Sequence, residues 1–344
     1  MSDVTGLPSP VALPMRWSTR IPGLQAQRLW PDPVGGQLLV ADGWGVAFGA
    51  LRLRSLDLQG GHERASVRLG NAARALTQDA HGNWLAATDQ KLFRLAAGSL
   101  QPLAKWTSRI PKYSDQLLCQ GDFVLAMNAA ASSVSAIDLV SGAVKRRALP
   151  AARCLHGIAG GEELLVSVDG SVWQLSSGLV KAPRRLASLP AHCASAASES
   201  GRLWLSLGTG RQSDGNGVSW AAPTTLLGAS APPYAVCVEQ DLGLPFWQLE
   251  VSRDGRVLWV IGVSSFEHEG ETRYRQNQVA CFDTADYRCI ARGCVPEGFE
   301  ITQVCPELGL VWAIRAGKDQ MEQGASLGCF ELEPVYGDAS IAFH

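Results

Sequence analysis

A short run of apolar residues recurs along the whole chain and constrains its fold more than any other feature. Four-residue runs typical of β-strands begin at positions 37, 83, 123, 163, 202, 256 and 309. A repeat period of roughly 40 to 50 residues indicates copies of one supersecondary unit, because each copy buries its apolar face only against its neighbours. We therefore expect seven copies of a small β-unit.

Each copy reads as four antiparallel strands. A short strand and a Gly-containing tight turn precede the apolar run, as in residues 79–82 and 252–255, and this pattern is typical of a β-hairpin. A third strand with period-two alternation follows, and often a turn and a fourth strand, as in residues 137–147. The sequence predicts an all-β fold, a seven-bladed β-propeller with four antiparallel strands per blade.

The two ends of the chain are expected to meet in one blade. Residues 14–22 match residues 102–111, which read as a fourth strand followed by a link to the next copy. The N-terminal segment has no first three strands of its own, so we predict that it joins the last blade and closes the ring. No linker divides the chain, and we expect a single domain, 1–344, with approximate blades 25–70, 71–108, 109–150, 151–190, 191–238, 239–296 and 297–335 and a closing strand at 12–19.

Two turns carry a resemblance to known repeats. Residues 137–144, Ile-Asp-Leu-Val-Ser-Gly-Ala-Val, resemble the Asp-x-x-x-Gly strand-turn of the quinoprotein-like and WD40-like (YVTN-type) β-propeller superfamily. Residues 251–256 resemble the Ser-x-Asp-Gly turn found in many propellers. The resemblance implies the propeller fold. It implies no particular activity, because propellers include binding scaffolds as well as lyases, lactonases, dehydrogenases and glycosidases.

Composition narrows the class of partner. The chain has 344 residues, 46% of them hydrophobic, and a formal net charge of -2, which argues against a surface that tracks phosphates or anionic lipids. Its apolar runs are shorter than the roughly 18 residues of a membrane span. We therefore expect a protein partner, no nucleic acid, no membrane insertion and a cytoplasmic location. Four tryptophans in the aligned second strands are expected to be core between blades: Trp84, Trp204, Trp259 and Trp312.

Four long connections are expected to cluster on one face of the ring. They span residues 208–223, 263–277, 316–325 and 43–50, and long connections on a rigid scaffold commonly carry binding sites. Their aromatic and arginine side chains suit a protein contact. The alternative is that 263–277 is a solvated hairpin tip of mixed charge. The predicted partner-binding residues are Trp44, Arg211, Trp220, Phe266, His268, Arg273, Tyr274, Arg275 and Lys318.

A second set of residues is expected to line the rim of the central channel. Counting nine residues back from each apolar run selects Arg28, Arg74, Cys154, Cys193, Trp247 and Glu300, with Ser114 in the third copy. Cys154 and Cys193, with His156 and His192 nearby, resemble a metal-ligand set. Adjacent strand residues point to opposite faces, however, so the spacing favours packed thiols. We predict no metal and no cofactor.

Evidence for catalysis in the sequence is incomplete. Arg20-Ile21-Pro22 is similar to the Arg-Ile-Pro start of sialidases, and residues 213–220 approach their Asp-box. The Arg-Ile-Pro recurs at Arg109, which makes it an element of the blades. We therefore predict a non-catalytic protein-interaction scaffold, an accessory subunit of a larger bacterial assembly. The alternative is a glycan- or small-molecule-processing enzyme, a sialidase-like hydrolase or a lyase, using Arg20, Arg28, Arg74 and Glu300 at the channel mouth.

Overall fold

Short strands make up most of the described chain. A computed structural model of the protein describes residues 7–21, 29–41, 51–89, 91–107, 114–128, 133–149, 152–158, 162–167, 170–190, 194–206, 212–214, 217–219, 223–268, 270–316 and 325–333. Two 3-10 helices, Ser177–Leu179 and Pro306–Leu308, lie between strands. Within these ranges, no helix has the length and apolar character that a membrane crossing requires.

The strands are numbered in chain order. The first half contains β1 (Val11–Ala12), β2 (Met15–Ile21), β3 (Leu29–Asp32), β4 (Gln37–Ala41), β5 (Arg52–Asp57), β6 (Glu63–Arg68), β7 (Ala75–Gln78), β8 (Trp84–Ala87), β9 (Lys91–Leu95), β10 (Pro102–Thr107), β11 (Gln116–Gln120), β12 (Phe123–Met127), β13 (Ser133–Asp138), β14 (Val144–Ala148), β15 (Ala152–Ile158) and β16 (Glu162–Ser167). The second half contains β17 (Ser171–Leu175), β18 (Arg184–Ser188), β19 (Ser195–Ala197), β20 (Leu203–Ser206), β21 (Gln212–Asp214), β22 (Gly217–Ser219), β23 (Thr225–Ala229), β24 (Val236–Asp241), β25 (Phe246–Val251), β26 (Val257–His268), β27 (Glu271–Asp283), β28 (Cys289–Cys294), β29 (Glu300–Cys305), β30 (Leu310–Ala316) and β31 (Ala325–Glu331).

Six sheets in the described chain have four antiparallel strands each, and we name them blades A to F. Blade A is β3 to β6, blade B β7 to β10, blade C β11 to β14 and blade D β15 to β18. Blade E is β19, β20, β23 and β24, with the small hairpin β21–β22 inserted between its middle strands. Blade F is β29, β30, β31 and the N-terminal strand β2, which pairs antiparallel with β31.

The predicted number of blades is wrong, because the structure has six four-stranded blades and not seven. The stretch expected to form the sixth of seven blades instead contributes β25 to β28 to a five-stranded sheet, in the order β1-β28-β27-β26-β25. The edge strand β1 is parallel to β28. The apolar run that marks each repeat lies in a second strand, so it reveals nothing about a two-residue edge strand that arrives from the distant N-terminus.

The sheets stand side by side around a central axis. Contacts run between β7 and β11, β11 and β15, β15 and β19, β19 and β25, β27 and β29, and β29 and β3. Gln78 at the end of β7 donates a hydrogen bond to Asp32 at the end of β3, with 3.0 Å between Nε2 and Oδ2. The first strand of each sheet therefore faces the axis.

The core lies between neighbouring sheets. Second strands such as β4, β8 and β20 are buried at every position, because a blade packs against a neighbour on both of its faces. Outer strands such as β10 are mostly exposed. The prediction for the second-strand tryptophans is confirmed: all four are buried, and Trp204 and Trp312 have no exposed surface (Trp84, Trp204, Trp259, Trp312).

The N-terminal segment holds three successive sheets together. Val11 and Ala12 pair with the edge of the five-stranded sheet, and Met15 to Ile21 form the outer strand of blade F. Trp17 then reaches blade A, where its Nε1 donates to the carbonyl of Leu58 at 2.9 Å. Its ring belongs to a buried cluster that joins residues of blade A and blade F.

Gly61 is required where the Trp17 ring packs on blade A. A Cβ added at Gly61 would lie 2.4 Å from the ring, and the residue has a φ of +70°. Gly98, in the corresponding turn of blade B, has a φ of +74° and no atom within 4 Å of an added Cβ. We expect Gly98→Ala to lower the free energy of unfolding by about 1 kcal/mol, from backbone strain. Gly61→Ala should lower it by about 3 kcal/mol, because overpacking against the ring is added. Urea unfolding of both variants measures the difference, and equal losses would contradict this role of Trp17.

Candidate functional site

Several predicted contact residues lie outside the described chain: Trp44, Arg211, Trp220 and Lys318, with Arg28 and Cys193 from the predicted rim. Cys154, His268 and Arg273 fall in described strands, but their side chains do not belong to the described part. Six of the predicted residues are described with their side chains: Phe266, Tyr274, Arg275, Arg74, Trp247 and Glu300. Their assignment to a binding surface stays a prediction.

The segment 263–277 is a pair of strands and not the loop that the sequence analysis expects. Strands β26 and β27 have 12 and 13 residues, about twice the length of β25 and β28. Strand β25 pairs with β26 only as far as Gly262, and β28 pairs with β27 from Gln278 onward. Among the described strands, residues 264–275 pair only with each other. We call this two-stranded extension the arm.

Side chains at the base of the arm make two aromatic contacts, one on each face of the ribbon, because Tyr274 and Arg275 are consecutive strand residues. The guanidinium of Arg275 lies over the Phe266 ring, with 4.0 Å between Cζ and the ring centroid. The Tyr274 ring contacts Trp247 at a centroid distance of 5.9 Å and a tilt of 55°. The structure thus brings Trp247, predicted from the rim, next to Tyr274, predicted from the long connection.

A β-bulge explains how Trp247 reaches the arm. Phe246 pairs with Gly262 and Gln248 with Ile261, so Trp247 is the extra residue of the bulge. A bulge of this kind redirects a side chain and increases the local twist. The other two described rim residues lie apart from this contact: Arg74 pairs with Asp89 at 3.4 Å, and Glu300 is exposed at the start of β29.

The central axis contains a cavity of about 740 Å³. Its wall comes from the first strands of several sheets, including Gln116 of blade C, Gln248 and Glu250 of the five-stranded sheet and Gln303 of blade F. These residues were missed because only one position in each first strand was selected from the sequence. Residues two apart on a strand share a face, so counting onward by two from Ser114 finds Gln116. The same count from Trp247 or Glu300 does not find Gln248, Glu250 or Gln303, because bulges shift the register of β25 and β29.

Glu250 is the most perturbed carboxyl group on the cavity wall. Its pKa is raised from 4.5 to about 7, chiefly by burial; a hydrogen bond from Gln303 opposes the shift, and charge repulsion from Glu307 adds to it. That bond is long, with 3.4 Å between Nε2 of Gln303 and Oε1 of Glu250. Near neutral pH, Glu250 is therefore divided between its acid and its carboxylate form.

The described residues do not assemble the chemistry of the enzyme alternative. Arg20 is exposed in β2, the outermost strand of blade F, whereas β29 of that blade faces the cavity. It therefore lies three strands away from the channel. No group of three or more His, Cys, Asp or Glu in the described ranges is placed to hold a metal ion. His156 instead lies 3.0 Å from the Ser195 hydroxyl, measured from its Nε2.

Comparison with solved structures supports the fold. No family model matches the sequence, and no curated protein matches it. The WD40 domain of Neurospora crassa Pan2 matches with a TM-score of 0.67 at 9% identity, over 94% of this chain and 97% of that chain. BamB from Moraxella catarrhalis matches with a TM-score of 0.58 at 12% identity, over 95% of this chain and 100% of that chain. BBS1N, solved in complex with ARL6DN, matches with a TM-score of 0.61 at 10% identity, over 94% of this chain and 98% of that chain. The chain is a β-propeller, and its structural neighbours are propellers of the WD40 and BamB types.

The raised pKa of Glu250 makes stability depend on pH. The folded state holds this proton more tightly than the unfolded state, so the free energy of unfolding should fall as pH rises from 4.5 to about 7. A shift of this size corresponds to at most about 3 kcal/mol. Glu250→Gln removes this contribution, and its stability relative to the natural protein should increase between pH 5 and pH 8. Chemical unfolding at both pH values measures this, with Glu239→Gln on the exposed strand β24 as control. Parallel pH profiles for Glu250→Gln and the natural protein would contradict the shifted pKa.

Proposed function

We propose that this protein is a non-catalytic protein-interaction scaffold that contacts its partner through the arm. The observation that carries the proposal is a ribbon that extends beyond its sheet and has an aromatic contact on each face, Arg275 over Phe266 on one and Tyr274 against Trp247 of β25 on the other. Aromatic residues and arginine are the types that most often dominate binding energy in protein interfaces. Phe266, Tyr274 and Arg275 are half-buried, so each retains surface for a partner.

The arm also offers backbone groups. Its paired residues begin at Ser264 and Arg275 and end at His268 and Glu271, with no third described strand beside them. At about 3.3 Å per residue, five residues of each strand extend roughly 15 Å beyond the sheet. Unpaired strand edges can accept an extended peptide segment through main-chain hydrogen bonds. A partner can therefore combine edge pairing with contacts to the aromatic side chains on either face of the arm.

The arm is held in place at its base. The Tyr274 ring packs on Trp247 of β25, and between the two strands of the ribbon the Ser264 hydroxyl donates to Oδ1 of Asn277 at 2.8 Å. A surface fixed in this way loses less conformational entropy on binding than a flexible loop does. The neighbour BBS1N in complex with ARL6DN agrees with a binding role for a propeller of this general type. An accessory role in a bacterial cytoplasmic assembly, and contacts at Trp44 and Trp220, stay predictions.

A double substitution tests the arm as the contact surface. We expect Phe266→Ala with Tyr274→Ala to weaken partner binding at least tenfold, because truncation of an interface anchor commonly costs 2 kcal/mol or more. The natural protein and the variant are used to capture partners from host lysate, and the captured protein is then made pure and titrated calorimetrically.

The matched control is Leu103→Ala, which truncates an exposed apolar side chain on β10 of blade B, far from the arm in the sheet order. This variant should bind as the natural protein does. Equal affinity of the arm variant, or equal loss in the control, would contradict the assignment of the arm. If the natural protein retains no partner at all, the scaffold proposal itself is wrong.

A further inference from the structure

We propose that the central cavity binds a neutral polyhydroxylated ligand the size of one or two sugar rings. This site is separate from the arm, and the inference does not depend on the proposed scaffold function. Its volume of about 740 Å³ lies within the usual range for small-molecule sites, about 300 to 1,000 Å³.

One wall presents acceptors and donors with unused capacity. Gln248 and Glu250 lie two residues apart on β25 and both line the cavity, as expected for side chains on the same face of a strand. The Gln248 amide makes no hydrogen bond to any described residue, and Oε2 of Glu250 accepts none. Oε1 of Glu250 receives only the 3.4 Å bond from Gln303. A half-buried amide and carboxyl of this kind are available to a bound polar molecule.

The facing side of the cavity adds further amides and an acid. Gln78 and Gln116 line it with Asp115, and Gln116 already accepts a bond from the Leu155 amide at 2.7 Å. An amide has both a donor and an acceptor, as does a hydroxyl group, so a wall rich in glutamine matches a ligand rich in hydroxyls. Carboxylates add charge-assisted acceptors for the same hydroxyl protons.

One indole ring supplies apolar surface among these polar groups. Trp30 is half-buried and lines the cavity, whereas Trp84 beside it is buried in the core between blades A and B. Aromatic rings favour the CH faces of a ring-shaped polyol, because they remove apolar surface from water without competing for its hydroxyls. The amides and Trp30 together therefore fit a sugar better than they fit a small ion.

The charge of the described wall disfavours other classes of ligand. Its described lining residues include Asp115 and Glu250, and no lysine, arginine or histidine is among them. Glu307 adds another negative charge close to Glu250. An anionic ligand, such as an acidic sugar or a phosphate, would meet repulsion without a compensating cation. A simple organic cation would pair with the carboxylates but would leave the amide donor of Gln248 without an acceptor.

The test measures binding of defined sugars to the full-length protein. D-glucose, D-galactose, D-mannose, maltose and lactose are screened by saturation-transfer NMR and titrated by calorimetry, with N-acetylneuraminic acid and spermidine as charged probes. We expect at least one neutral sugar to bind and neither charged probe to bind more tightly. Failure of all five neutral sugars, or tighter binding of a charged probe, would overturn the proposal.

Two variants locate the site. Gln248→Met keeps the length of the side chain and removes its amide, and should weaken sugar binding roughly tenfold. Gln240→Met makes the same change on the exposed strand β24 and should leave binding unchanged. Glu250→Gln replaces one acceptor oxygen by an NH₂ donor and should weaken binding to a similar degree, which keeps the test valid if Gln248→Met does not fold. Equal affinities of the cavity variants and the Gln240→Met control would place the sugar elsewhere and contradict the proposal.

Discussion

The ring depends on how the N-terminal segment joins sheets that are distant in sequence. β1 extends the five-stranded sheet, β2 completes blade F, and Trp17 packs against blade A. Each of these contacts links residues near position 15 to a part of the chain that is distant in sequence. The remaining sheets adjoin their neighbours in sequence, so their packing needs only local connections. Closure by a non-local strand gives the sheets one fixed arrangement around the axis, with β1 and β2 as the outer strands of their two sheets.

A fixed ring determines what can exist at its centre. In each first strand, alternate side chains point towards the axis. The polar side chains among them stay close together, because the arrangement of the sheets fixes their strands. Glu250 illustrates the consequence, because its burial beside Glu307 raises its pKa to about 7 and no described cation compensates it. Such an arrangement opposes folding rather than assisting it. A group of this kind is more readily understood as part of a binding wall than as a packing element.

The sequence allowed the local units to be predicted better than their assembly. Apolar runs and turns located the second strands, and the burial of Trp204 and Trp312 follows from their position there. The number of blades was wrong, because the repeat contains no signal for β1, a parallel pair of only two residues. The arm was read as a loop, since residues 263–277 are polar and a two-stranded ribbon needs no buried face. The cavity residues were missed because the direction of Gln248 and Glu250 depends on the register of β25, which a bulge shifts.

That bulge allows β25 to contact the arm and to line the cavity. Trp247 is the inserted residue and packs on Tyr274 at the base of the arm, whereas Gln248 and Glu250 line the cavity. In a regular strand, Trp247 would stand on the face opposite Gln248, towards a neighbouring sheet and its apolar core. The inserted residue changes the local twist, so that Trp247 packs against the arm. The next residue, Gln248, still lines the cavity. Consecutive residues of β25 thus contact the arm and the cavity.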